Sequence, residues 1–240
     1  MSSKTSGGVG KRLMLSITRM APAPPVRAMH IIESEKLFLS SRGQKIFMCL
    51  CRNPCARTGE ISASLGYSKS AVVQHLSGLI RAGFVKKNVA GNKNIFSPIG
   101  MVADDDIKII AGLADKKSRE FFLAAIWKPG ISFLELASGR GLPPTTAKRK
   151  VQMLAGLGLL VMIRDGRFAR IYPSESLEEL QKKYRQRRHI FINALVSRLG
   201  DAGLKPEIET TIGEKTVIKL RIRKRSIILA INTNPMANII

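Results

Sequence analysis

The chain has 240 residues, and its 40 Lys and Arg against 17 Asp and Glu give a formal net charge of +23 at pH 7. An excess of that size repels itself in a compact fold and draws polyanions, so nucleic acid is the first partner to consider. The hydrophobic share of 45% fills ordinary cores, while no segment approaches the roughly 18 apolar residues of a membrane span, and no membrane partner is expected.

Residues 1–27 are rich in Ser, Gly, Pro and basic residues and close on Ala21-Pro22-Ala23-Pro24-Pro25. Nothing there buries a face, which predicts a flexible basic arm, without the apolar core and cleavage site of a secretory signal. From Ala28 to Leu39 a short helix is expected, with Ile31, Ile32, Leu37 and Phe38 as its apolar positions.

A pattern then appears twice. Its first copy opens with a helix from Gln44 to Cys51 holding Ile46, Phe47 and Leu50, stopped by Asn53-Pro54. A second helix runs from Thr58, a natural N-cap, to Leu65. After the turn Gly66-Tyr67-Ser68 comes a longer helix, Lys69 to Ala82, with Ala71, Val72, Leu76, Leu79 and Ile80 on one face. Gly83 caps it, and Phe84 to Lys87 and Ile95 to Pro98 read as a hairpin around Gly91-Asn92.

The second copy opens with Ser118 to Trp127 and breaks at Pro129-Gly130. Ser132 can cap a helix through Ser138, and Pro143 or Pro144 fits the first turn of the next. That helix, Thr145 to Leu157, carries Val151 and Leu154, and Gly158 closes it. Leu159 to Arg164 and Arg167 to Tyr172 form a hairpin around Asp165-Gly166. From the third helix onward the copies keep register: Leu76 falls on Val151, Leu79 on Leu154, Gly83 on Gly158, Gly91 on Gly166 and Pro98 on Pro173, always at one interval.

Beyond Ser174, Leu177, Leu180, Tyr184, Phe191, Leu195 and Leu199 mark a long amphipathic helix ending at Gly200 or Gly203. Its run from Lys182 to His189 is either a solvated face or a stripe that tracks a phosphate backbone. Its apolar face from Phe191 to Leu199 would bury against the terminal sheet or a second subunit. Three strands follow, Glu207 to Ile212, Lys215 to Arg223 and Ser226 to Thr233. Alternation in the middle one predicts a half-buried sheet with a basic outer face.

Helix, helix, turn, helix and two-stranded hairpin is the order of a winged helix-turn-helix, whose third helix fits the major groove. The fold class expected is α+β, mainly α: two tandem winged helix-turn-helix modules plus a C-terminal long helix and small antiparallel β-sheet. The parts are a basic arm (1–27), a first module (28–100), a linker (101–114), a second module (115–174) and a C-terminal region (175–240) for dimerisation or sensing.

The run from Tyr67 to Val85, with its Ser68-Lys69-Ser70, His75-Leu76, Leu79 and Ala82-Gly83, closely resembles the recognition segment of ArsR-type and MarR-type regulators. About 60 residues around the first module share that likeness; the second resembles the superfamily loosely, without the His-Leu pair. The resemblance implies a cytoplasmic, nucleoid-associated prokaryotic repressor that binds double-stranded DNA as a homodimer. By that match Ser68, Lys69, Ser70, Val73 and Gln74 face DNA, while Val72, Leu76 and Leu79 pack inward. Gln74 suits adenine; Ser68 and Ser70 suit phosphate. His75 reads as packed or phosphate-touching rather than as a metal ligand.

Lys86, Lys87 and Lys93 on the first wing are phosphate candidates. In the second module Thr145, Thr146, Lys148, Arg149 and Lys150 occupy the equivalent helix, with Arg164, Arg167 and Arg170 on the wing. They make it either a second DNA-reading head or a pseudo-repeat that packs or dimerises. Cys49, Cys51 and Cys55 lack zinc-pair spacing and companion ligands, so core packing is expected, with a redox role for Cys55 as the alternative.

Their odd, clustered count points to a reducing compartment. No phosphate-cradling glycine loop, paired-histidine zinc motif or serine elbow is present, and the histidines are His30, His75 and His189. Neither an enzyme nor a cofactor is expected, and Asp104-Asp105-Asp106 reads as linker or helix cap. The rival readings are a nucleoid-architectural or chromosome-maintenance protein with little sequence preference, and an assembly factor whose winged modules bind protein.

Overall fold

The computed structural model describes residues 34–174 and 176–237. The basic arm and the start of the helix expected from Ala28 lie outside them. Residues 34–39 are helical and lead into α1 (Ser41–Arg52), whose N-cap Ser40 accepts a hydrogen bond from the Gly43 N–H. Phe38, Phe47 and Phe84 then meet edge to face, with ring centroids 5.0, 5.7 and 6.3 Å apart. This aromatic knot ties the helical turn, α1 and the segment after the third helix into one core.

Helix α2 (Thr58–Leu65) starts one residue earlier than its composition suggests: Arg57 is the N-cap, and the Glu60 carboxylate accepts the Arg57 N–H at 2.7 Å. Helix α3 (Lys69–Arg81) has Ser68 as N-cap and buries Val72, Leu76 and Leu79. Strands β1 (Val85–Ala90) and β2 (Lys93–Pro98) form the first wing, longer at its tip than the apolar pattern indicates.

Residues 101–114, expected as a linker, are a 3-10 turn at Asp104–Asp106 and helix α4 (Ile107–Ala114), with Ile110, Ala111 and Leu113 buried. The second module follows: α5 (Lys116–Trp127), β3 (Ile131–Ser132), α6 (Phe133–Ser138), α7 (Pro144–Gly156), β4 (Leu160–Asp165) and β5 (Phe168–Pro173). Its strands lie in the order β3-β5-β4. The two stretches share more than the sequence pattern shows, at a constant offset of 75 residues, the interval from Gly83 to Gly158. N-cap Ser40 corresponds to Asp115, and α1 and α5 have the same length. Cys55, at φ 65°, takes the place of Gly130, at φ 82°. The isolated bridge Ala56–Phe96 sits where β3 joins β5 through Ile131–Ile171. Glu60 and Glu135 close equivalent capping boxes.

Helix α8 (Ser176–Asp201) spans both cores. Leu177, Leu180 and Tyr184 pack with the second module, and Phe191, Leu195 and Leu199 with the first. A buried polar clasp marks the crossing. The Tyr184 hydroxyl donates to Asp106 at 2.8 Å and accepts the Ala103 N–H at 3.1 Å, while Lys183 reaches the same carboxylate at 2.8 Å. Burial, reinforced by that carboxylate, pushes the hydroxyl well above the usual tyrosine range.

Strands β6 (Pro206–Ile212), β7 (Lys215–Ile222) and β8 (Arg225–Asn232) form an antiparallel sheet. Its inner face, with Ile218, Leu220, Leu229 and Ile231, joins the first module's core. The C-terminal region therefore shares a core with the first module through this inner face, while Ile208, Ile212 and Ile228 of the sheet stand exposed. The outer face of the sheet is not simply basic. Glu209 lies 3.3 Å from Lys219 and Glu207 lies 2.9 Å from Arg221, because β6 brings acids beside the β7 cations. The last turn falls at Arg223-Lys224, one residue before the expected Lys224-Arg225, with Arg223 at φ 54° and paired to Glu35.

Candidate nucleic-acid interface

Helix α3 is held by one face and open on the other. Val72 and Leu79 are fully buried, which leaves Lys69, Ser70, Val73 and Gln74 exposed on the first two turns, with Val73 50% exposed. Three cationic or hydrogen-bonding side chains, with the apolar Val73 between them, are thus displayed on a rigid rod about the width of a major groove. Ser68 is exposed, but its hydroxyl accepts the Ala71 N–H at 3.3 Å and lies 3.1 Å from the Ser70 hydroxyl. Its first task is to cap the helix. His75 is half-buried beside Leu76.

On the first wing Lys87 and Lys93 are exposed. Lys86 is exposed as well, yet its ammonium lies 2.6 Å from Asp104, anchoring the wing base to the connecting turn. A cation that sequence reasoning missed stands nearby: Arg42 on α1 places its guanidinium 5.7 Å from the Tyr67 ring centroid, next to the cap of α3. Only the fold brings Arg42 to that position, so its sequence neighbourhood gave no signal.

The second module presents its residues differently. Thr145, Lys148 and Arg149 are exposed on α7, and Thr146 is half-buried. Lys150 does not reach outward. Its ammonium lies 2.7 Å from Asp115 and 3.0 Å from the Ser118 hydroxyl, with the side chain 20% exposed. Burial opposes the charge on Asp115, but hydrogen bonds from Lys150 and Ser118 outweigh it and hold that carboxyl down to about 2. Lys150 is thus a brace between α7 and the start of α5. Arg164 and Arg167 are exposed on the second wing, whereas Arg170 is turned to Asp165 at 3.0 Å and to the Gly130 carbonyl at 3.4 Å.

The cysteines are not placed for chemistry. Cys49, Cys51 and Cys55 are all free and buried, and burial pushes all three thiols up, that of Cys55 to about 12. At that value the thiolate is scarce at neutral pH, which argues against a redox role for Cys55.

Comparison with known proteins agrees with the geometry of the first module. Residues 44–87 match the bacterial regulatory protein, arsR family. The chain is 23% identical over 155 residues to an uncharacterized HTH-type transcriptional regulator of Methanocaldococcus jannaschii, a stretch that is 64% of this chain and 39% of that protein. The likeness therefore spans about two fifths of that relative's length. A MarR transcriptional regulator from Methanosarcina mazei Go1 is 19% identical, over 57% of this chain and 82% of that one, with a TM-score of 0.27, too slight a likeness to assign anything. The matched residues 44–87 run from α1 through α3 into the first wing, so the likeness to the arsR family covers the helix-turn-helix and the start of its hairpin.

Proposed function

We propose that this chain is a sequence-specific double-stranded DNA-binding transcriptional regulator, a repressor that acts as a homodimer. The observation that carries the reading is the open face of α3, where Lys69, Ser70, Val73 and Gln74 stand clear while Val72, Leu76 and Leu79 lock the helix from behind. Inserted in a major groove, Gln74 can pair with an adenine edge and Lys69 with guanine or phosphate. Lys87, Lys93 and Arg42 flank the helix and suit phosphate positions, which fix register without reading sequence. Thr145, Lys148 and Arg149 add backbone contacts from the second module. A repressor needs no catalytic group, only occupancy of its operator.

The test is competition binding of the full chain to a selected operator against random duplex, repeated across a salt series. The expected specificity ratio is at least about a thousandfold. The log–log salt slope should be about −4 or steeper, for four or more displaced phosphate counterions. A ratio near one, with the steep slope retained, would replace this reading with the architectural one. No affinity for either duplex at moderate salt would revive the protein-binding one.

A further inference from the structure

The two wings have the same backbone and opposite chemistry. At the constant offset, Lys86, Lys87 and Asn88 of β1 correspond to Val161, Met162 and Ile163 of β4, and Lys93 corresponds to Phe168 of β5. These are not core residues: Val161 is 45% exposed, Met162 40%, Ile163 53% and Phe168 63%. Every lysine proposed to hold phosphate on the first wing has an exposed apolar side chain as its counterpart on the second. Such a surface loses free energy in contact with a phosphate backbone and gains it when water is excluded by another apolar surface.

Strand β4 is also an edge. Its sheet runs β3-β5-β4, so among the described residues one side of its backbone has no strand beside it. Proteins ordinarily blunt such edges with lysine, proline or a bulge. β1 carries two lysines at the positions where β4 carries Val161 and Met162. By strand alternation and register, Val161, Ile163 and Phe168 share the outer face with Arg170 and Tyr172. Three of the four exposed apolar side chains, Val161, Ile163 and Phe168, thus lie on one face of the hairpin, while Met162 lies on the other face, across from Ile171.

We propose that β4 pairs antiparallel with β4 of a second copy of this chain, about a two-fold axis near Ile163, joining two three-stranded sheets into one. This names the surface of the homodimer proposed above and does not depend on how the first module reads DNA. Antiparallel pairing sets the tip of each wing beside the base of the other. The tip carries the exposed cations Arg164 and Arg167 together with Phe168. The base carries the exposed acids Glu178 and Glu179, in the first turn of α8, one turn ahead of Lys182 and about two ahead of Arg185. There, Ile126, Pro173 and Leu177 line a cleft of about 670 Å³ with these two acids. Glu179 also shares a cavity with Leu157 and Leu159, which immediately precede β4.

Cation thus meets acid, and Phe168 meets an apolar cleft, twice over by symmetry. The wing tips and the α8 starts add a polar rim toward the roughly 800 Å² per partner of a standard interface. The core-facing sides of α8 and of the β6–β8 sheet are covered within the chain, although Ile208, Ile212 and Ile228 stand exposed on that sheet.

Sedimentation equilibrium of the full chain, at moderate salt to screen its net charge, tests this directly. The wild type should behave as a dimer. The Val161→Lys, Ile163→Lys double variant, changed only at exposed positions, should raise the dimer dissociation constant by at least about a hundredfold. Its thermal melt shows whether the fold is kept. Phe168→Lys should do the same to a smaller degree. Arg167→Glu should weaken the dimer, and adding Glu178→Arg and Glu179→Arg should restore it. A monomeric wild type, or a folded double variant with wild-type mass, would overturn the proposal. Because a monomeric variant should still bind a DNA half-site through α3, failure of the interface and failure of the DNA reading give different results.

Discussion

From Ser40 to Pro98 and from Asp115 to Pro173 the helix starts and strand registers recur at one interval, while the surfaces they carry have parted. In the first stretch α3 shows Lys69 and Gln74 and the wing shows lysines. In the second, α7 shows Lys148 and Arg149, Lys150 is braced inward on Asp115, and the wing shows Val161, Met162, Ile163 and Phe168. The path is fixed by a few positions: the helix caps, the left-handed glycines at Gly66, Gly83 and Gly91 with their partners Gly141, Gly158 and Gly166, and the inward apolar residues. Everything outside that set was free to diverge. Function follows the divergent residues, not the shared skeleton.

The comparison breaks most easily at the shared core. Leu79 and Leu154 occupy equivalent positions and are both fully buried. Leu79→Ala and Leu154→Ala should each cost about 2–5 kcal/mol in denaturant unfolding. A cost well below this at one site only would mean that the two skeletons are not equivalent in energy.

A smaller effect separates the copies. Gly43 corresponds to Ser118, yet a Cβ at Gly43 would run into the backbone carbonyl of Leu37, which cannot swing aside. Gly43→Ala should therefore destabilise by about 1–3 kcal/mol through overpacking, despite alanine's better helix propensity. A stabilised Gly43→Ala variant in a thermal melt would show that the 34–39 turn does not press on α1.

The caps differ in their response to acid. Ser40 does not titrate, whereas Asp115 does, with its folded value lowered to about 2. A carboxylate lowered on folding adds stability at a pH above its unfolded value and loses it as pH falls through the folded one. The contribution of Asp115 should be complete above about pH 4 and fade toward pH 2. Asp115→Ala should cost about 1–2 kcal/mol at neutral pH, and Ser40→Ala about 0.5–1 kcal/mol. Urea melts at pH 7 and pH 3 check both, and the deficit of Asp115→Ala should shrink at the lower pH.

The smallest expected signal is in the thiols. With Cys49, Cys51 and Cys55 buried and their thiols raised, iodoacetamide at pH 8 should label the folded chain far more slowly than the urea-unfolded one. Fast labelling of one cysteine would mark a local opening.

Much of this fold was legible in the sequence. The helices, wings and C-terminal strands follow from periodicity, glycine and proline, with ends shifted by up to three residues. The offset was visible only from α3 onward, because the earlier equivalents differ in type: Ser40 against Asp115, Cys55 against Gly130, Arg57 against Ser132. Glu60 and Glu135, and Pro54 and Pro129, held the missing signal. The helix at Ile107–Ala114 was hidden behind an acidic run that reads as linker. Pairings between distant elements have no local trace. Nothing around Lys150 predicts Asp115, nothing around Lys86 predicts Asp104, and nothing around Arg42 predicts Tyr67. The candidate interface was therefore legible as a helix face and illegible as a charge arrangement.

The most direct measurement compares two double variants on one selected operator and on random duplex. Lys69→Ala with Gln74→Ala should lower the specificity ratio by about ten- to a hundredfold or more, since each base-edge pairing is worth about 1–3 kcal/mol. Lys148→Ala with Arg149→Ala should weaken operator and random duplex alike, leaving the ratio unchanged and the salt slope reduced by about two. If instead the α3 variant kept the full ratio while the α7 variant lost it, the reading head would be the second module, and the account given for α3 would be wrong.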